Sequence, residues 1–134
     1  MEGCLDLRVA YKLQFRLMKH EIMVEVYETP RGGCPYLKWQ SKLPILVRGQ
    51  VRSKLNQIRL GNFSDSKSIK KGVKEIRIHS GPGYRVYFGI AGGGVVLLLC
   101  GGNKSSQARD IDLAVACWEE YKARLRAEGG MQNG

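Results

Sequence analysis

Two short runs of the chain carry side chains of the kind that handle phosphates. In Lys74-Glu75-Ile76-Arg77-Ile78-His79, strand alternation puts Lys74, Ile76 and Ile78 on one face and Glu75, Arg77 and His79 on the other. In Tyr84-Arg85-Val86-Tyr87-Phe88, Arg85 and Tyr87 share a face. A hairpin joining the two runs can gather Glu75, Arg77, His79, Arg85 and Tyr87 on one surface, with Lys104 at its border. Such a set suits metal-free cleavage of a phosphodiester. Cations stabilise charge on a phosphorane-like transition state, and a polar group moves the proton of a ribose 2′-hydroxyl. The same residues also fit the solvated outer face of a half-buried sheet, where Arg and Glu pair across strands.

Other chemistries find little support. The cysteines (Cys4, Cys34, Cys100, Cys117) form no Cys-x-x-Cys pair, and only His20 and His79 can join them, so no metal site is expected. Cys100 and Cys117 read as reduced core residues. With two histidines a Ser-His-Asp triad would have to rest on His79, and no spacing supports it. The glycines form neither a Gly-x-Gly-x-x-Gly fingerprint nor a P-loop. They read as hairpin turns, and no nucleotide or other cofactor is expected.

Positioning these residues requires a domain. The 134 residues carry 22 Lys and Arg against 12 Asp and Glu, a formal charge of +10, with 43% hydrophobic residues. That is ordinary composition for one folded domain. Residues 48–85 alone carry +8, through Arg48, Arg52, Lys54, Arg59, Lys67, Lys70, Lys71, Lys74, Arg77 and Arg85 against Asp65 and Glu75. A concentrated basic field attracts polyanions, nucleic acid first, and a solvated basic face is the plain alternative. The longest apolar run, Val95–Cys100, is far short of a membrane helix. Arg8, Lys12 and Arg16 interrupt any secretory core. A soluble cytoplasmic protein without a membrane partner is expected.

Strict alternation from Leu5 to Leu17 predicts a strand, and Ile22 to Tyr27 a second short one. Thr29 to Pro35 is loop. A short helix is expected over Tyr36–Leu43, with Leu37 and Trp39, or Trp39 and Leu43, inward. Pro44 breaks it and can open the next helix, whose Val47, Val51, Leu55 and Ile58 make an apolar stripe opposite Arg48, Arg52 and Arg59. Gly61-Asn62 ends that helix. Residues 62–71 are polar and basic. Strands follow over Val73–His79, Tyr84–Ile90 and Val95–Cys100, joined by Ser80–Gly83 and Ala91–Gly94, with Gly101-Gly102 ending the last. Ser105 or Ser106 can cap a final helix with Ala108, Ile111, Val115, Trp118 and Leu125 inward. The fold class is α+β: a small antiparallel sheet with two N-terminal helices and one C-terminal helix. The divisions are a 1–22 extension with a possible extra strand, a 23–127 domain and a flexible 128–134 tail.

Three stretches carry a family resemblance: Gly61-Asn62-Phe63-Ser64-Asp65-Ser66-Lys67, Gly72 to Phe88 with its Gly81-Pro82-Gly83-Tyr84-Arg85 core, and Leu97 to Gln107 followed by Asp110-Ile111. Together with Tyr27-Glu28-Thr29 and Trp39, they resemble the HigB-like addiction module killer branch of the RelE/ParE toxin superfamily over about residues 23–126. The resemblance implies a small twisted antiparallel sheet with helices at both ends of the chain. It implies the toxin of a type II toxin–antitoxin system, a ribosome-dependent, metal-free mRNA endonuclease that inhibits translation. The implied partners are the ribosome, mRNA and a cognate antitoxin, often a helix-turn-helix protein, with operator DNA reached only through the antitoxin complex. Arg85 matches the arginine that contacts the scissile phosphate, Arg77 matches a basic position on the preceding strand, and Lys104 falls near a following arginine. Glu75 stands where lysine is usual and Asp110 near a C-terminal tyrosine, which leaves the general base among Glu75, His79, Tyr87 and Asp110. Arg48, Arg52, Arg59, Lys67, Lys70, Lys71 and Lys74 would grip RNA on the ribosome. Two alternatives share the resemblance: a ParE-like gyrase inhibitor without nuclease activity, and an inactive relative that only binds an antitoxin.

Overall fold

The structure is a computed structural model that describes residues 21–133. The strand expected over Leu5–Leu17, and nearly all of the 1–22 extension, lie outside the described residues. The elements run β1 (Val24–Val26), α1 (Pro35–Ser41), α2 (Ile45–Arg59), β2 (Ser66–Lys70), β3 (Val73–Ile78), β4 (Tyr84–Ala91), β5 (Val95–Asn103) and α3 (Gln107–Asn133). They build one five-stranded sheet in the order β1-β5-β4-β3-β2. The class is α+β, as the pattern of elements predicts. The sheet is mixed rather than wholly antiparallel, because β1 pairs parallel to β5 while the other neighbours are antiparallel.

The strand β2 replaces what reads in sequence as a polar segment. Its single apolar residue, Ile69, gives no alternation to detect, and an edge strand needs only one buried face. A two-residue turn closes the β2–β3 hairpin. Lys71 (φ 53°) and Gly72 (φ 86°) both take positive φ, the requirement of a type I′ turn.

Each face of the sheet is covered. Val47, Val51, Leu55 and Ile58 of α2 are buried as the stripe predicts, against Ile76, Ile78, Val86, Phe88 and Leu98. Of the two pairs expected inward around α1, Trp39 and Leu43 pack on the core, whereas Leu37 is 46% exposed, and Tyr36, at 2%, is buried beside them. On the opposite face α3 lays Ala114, Cys117 and Trp118 on Val73, Tyr87, Leu97, Leu99 and Cys100. Of the stripe expected on α3, Ile111, Val115 and Trp118 pack inward, whereas its ends do not: Ala108 is exposed and Leu125 is 40% exposed. A bulge at Tyr87/Phe88 opposes two β4 residues to three of β5, so Leu99 and Cys100 both turn toward α3.

Glycines inside the strands do more than make turns. A Cβ on Gly89 would lie 2.6 Å from the Trp118 ring, and one on Gly101 would enter the Trp39 ring. Each tryptophan thus rests on bare backbone, on opposite faces of the sheet. Gly101 and Gly102 do not end β5, which continues to Asn103. There a short 3-10 turn, Lys104–Ser106, leads into the final helix and carries its own cap. The Asn103 side chain accepts from the Ser105 and Ser106 amides, and Ser106 Oγ accepts from the Asn103 amide.

Candidate active site

The β3–β4 register brings together the residues that alternation places on one face. Glu75 pairs with Tyr87, and Arg77 with Arg85. On the next strand Arg85 faces Gly102 and Tyr87 faces Cys100. This face is only partly solvated: the first turns of α3 cross it over Glu75 and Gly102. Gln107 Nε2 donates to Glu75 Oε1 at 3.3 Å. Asp110 is drawn down over Gly102, where a Cβ would come within 2.5 Å of its Cγ, and it accepts from Ser106 Oγ.

Glu75 is the hub. It is fully buried, and an unpaired carboxylate there would be prohibitively costly. Arg77 Nε meets its Oε2 at 3.3 Å, and Arg85 Nε lies 3.5 Å from its Oε1. The two arginines are unequal, since the Arg77 side chain is 44% exposed and that of Arg85 9%. Tyr87 is fully buried, and its hydroxyl has no hydrogen-bond partner among the described residues. Burial, reinforced by the nearby Glu75 charge, pushes its phenol far above the usual tyrosine range. Tyr87 therefore stays protonated at any physiological pH.

His79 and Lys104 sit at the edges of this cluster. His79 is exposed and lines an open cleft of about 260 Å³ with Ser64, Asp65, Ser66, Lys67 and Arg77. In that cleft the Lys54 ammonium, hydrogen-bonded to Asp65, holds the Asp65 carboxyl below its ordinary range. Lys104 is exposed on the turn after β5, and its amide donates to the Gly83 carbonyl at 3.1 Å. The neighbourhood of Gly83 is also where Arg85 ends: a Cβ there would lie 3.9 Å from Arg85 Nη1.

The remaining basic residues do not form one patch. Arg48, Arg52 and Arg59 follow one stripe of α2, on the far side of the sheet from Glu75. Arg59 is engaged by Asn56 and Lys74 by Ser68. Lys67 lies opposite Glu75 on β2, Lys71 is exposed in the hairpin turn, and Lys70 approaches Asp112 of α3 at 3.9 Å. The charge of 48–85 thus flanks the β2 edge from both sides. Gln107 is the site residue that sequence reading passed over. Its only signal there is a place in the first turn of the final helix.

These observations define a small basic α+β protein whose paired arginines are anchored on a buried carboxylate beneath its last helix. Residues 38–118 match the model of the phage-derived Gp49-like protein family (DUF891), and the chain belongs to that family, which is associated with toxin-like addiction module proteins. It is similar to an uncharacterized protein of Haemophilus influenzae, with 44% identity over 77 residues, covering 57% of this chain and 78% of the relative. No helix among the described residues is long and apolar enough to cross a membrane.

Proposed function

We propose that the protein is the toxin of a type II toxin–antitoxin pair and acts in the cytoplasm as a metal-free, ribosome-dependent mRNA endonuclease. The observation that carries this reading is the pair Arg77–Arg85, adjacent in register and held on one buried carboxylate within a +8 stretch of chain. In the proposed reaction the ribose 2′-oxygen attacks the neighbouring phosphorus and the bond to the 5′-oxygen breaks. A 2′,3′-cyclic phosphate and a 5′-hydroxyl end are left. Arg77, and the accessible edge of Arg85, take the charge that builds on the non-bridging oxygens. Of the candidate proton acceptors, Glu75 and Tyr87 are fully buried, whereas His79 is exposed in the same cleft as Arg77. We assign the 2′-proton to His79. Lys104, at the Gly83 end, faces the leaving side. Arg48, Arg52, Arg59, Lys67, Lys70, Lys71 and Lys74 supply docking charge for ribosomal RNA. A helix-turn-helix antitoxin neutralises the toxin, and operator DNA is met only through that complex.

The test is cell-free translation with purified protein and mapping of transcript 5′ ends. Wild type is expected to stop synthesis and leave new 5′-hydroxyl ends, and R85A to lose cleavage roughly a hundredfold or more. Equal cleavage by R85A would sink the site assignment. Intact transcripts with accumulating DNA breaks would replace the nuclease reading with gyrase inhibition.

A further inference from the structure

We infer that Glu75 is a positioning residue that builds a twin-fork anion site from Arg77 and Arg85; this rests on the reading of that surface as the phosphate site. Both arginines meet Glu75 through Nε, Arg77 on Oε2 at 3.3 Å and Arg85 on Oε1 at 3.5 Å. A guanidinium approached at Nε keeps its end-on edge, one N–H from each Nη, directed away from the carboxylate, and that edge supplies bidentate recognition of phosphate. Among the described residues no Nη atom of Arg77 or Arg85 hydrogen-bonds to another side chain; Arg77 Nε donates to Glu75, whereas Arg85 Nε is enclosed beside it in ion-pair contact without a hydrogen bond.

What limits the carboxylate is access: it is fully buried. Gln107 takes a further position on Oε1, and α3 and the sheet seal the group from solvent. A general base must reach the proton it abstracts, directly or through one water, and Glu75 is enclosed with Arg77 and Gln107, which donate to it, and the ion-paired Arg85. It has a second effect as well. Two guanidiniums on adjacent strands repel, and one carboxylate between them lets both stay charged and close, leaving the site a net cation. The ligand class is a single phosphodiester group, gripped by two forks whose separation Glu75 fixes.

The experiment is guanidinium Nε–H NMR of the full chain, with inorganic phosphate and a non-cleavable 2′-O-methyl trinucleotide as probes. In the wild type the Arg77 and Arg85 signals are expected to shift together along one isotherm. E75Q, which keeps one acceptor oxygen, is expected to move or broaden at least one of the two signals without ligand. It should also weaken trinucleotide binding roughly ten- to a hundredfold, and E75D should restore part of the loss. An E75Q protein with unchanged Nε signals and affinity but a much lower kcat would make Glu75 the base and overturn the inference. If E75Q does not fold, the wild-type titration decides, and Arg77 and Arg85 moving independently or not at all would overturn it. Coupled phosphate binding without RNA cleavage would keep this inference and end the nuclease reading.

Discussion

Gly102 offers the sharpest test of how the last helix is coupled to the site. It stands opposite Arg85, and the Asp110 carboxylate fills the space its side chain would take. A methyl there would overlap Asp110 Oδ2 and lie 2.5 Å from Asp110 Cγ and 3.0 Å from Ser106 Oγ. Ordinary carbon contacts are about 3.5–4.0 Å, so Gly102→Ala must push the carboxylate and its turn of α3 outward by about 1–1.5 Å. Overpacking of this kind costs about 1–3 kcal/mol. For a chain of this size that is a fall in Tm of roughly 4–12 °C. Gly89→Ala is the matched control, because its methyl would lie 2.6 Å from the Trp118 ring, farther along α3 from Gln107. Gly92→Ala, with open space around it, should stay within about 0.5 kcal/mol. The assay is thermal denaturation of all three variants with RNA cleavage measured well below each Tm. Gly102→Ala should lose cleavage beyond Gly89→Ala at comparable stability, since Gln107 supports Glu75 from the displaced turn. A Gly102→Ala Tm within 2 °C of wild type, or equal cleavage by the two strained variants, would refute the coupling.

Two further outcomes are expected. Burial holds the Cys100 and Cys117 thiols above their usual range, whereas Cys34 is partly exposed, so maleimide should modify Cys34 in the native protein while Cys100 and Cys117 react only after unfolding; rapid native labelling of Cys100, read by peptide mass spectrometry, would contradict the packing. Burial pushes the Tyr36 phenol up to about 12, with Arg59 opposing weakly, so its contribution is intact below the unfolded value near 10 and is lost as pH rises toward 12. By pH 11 this one group should cost the wild type about 1 kcal/mol relative to pH 8. Y36F should lack that increment, and urea unfolding at the two pH values checks it.

Much of the site was legible because strand alternation is a local property. Glu75, Arg77, Arg85 and Tyr87 share a face as soon as two runs with period two are joined by the short turn Ser80–Gly83. The stripe Val47–Ile58 fixed α2 in the same way. What escaped were elements defined by their neighbours. The strand β2 exists because β3 offers it a ladder, and β1 lies parallel to β5 through a long connection that sequence distance does not reveal. The roles of Gly89, Gly101 and Gly102 appear only when Trp118, Trp39 and Asp110 arrive over them.

The chain's own pattern therefore determined the order of elements, the concentration of charge in 48–85 and the grouping of two arginines with a glutamate. It did not determine which of these groups meets solvent. An open polar sheet face and one roofed by a helix have the same alternation. Only the docking of α3 through Trp118 on Gly89 and Asp110 on Gly102 decides between them. That docking buries Glu75 and Tyr87, leaves Arg77 and His79 at the surface, and so turns a row of similar polar residues into an anchor, a charged fork and an accessible imidazole.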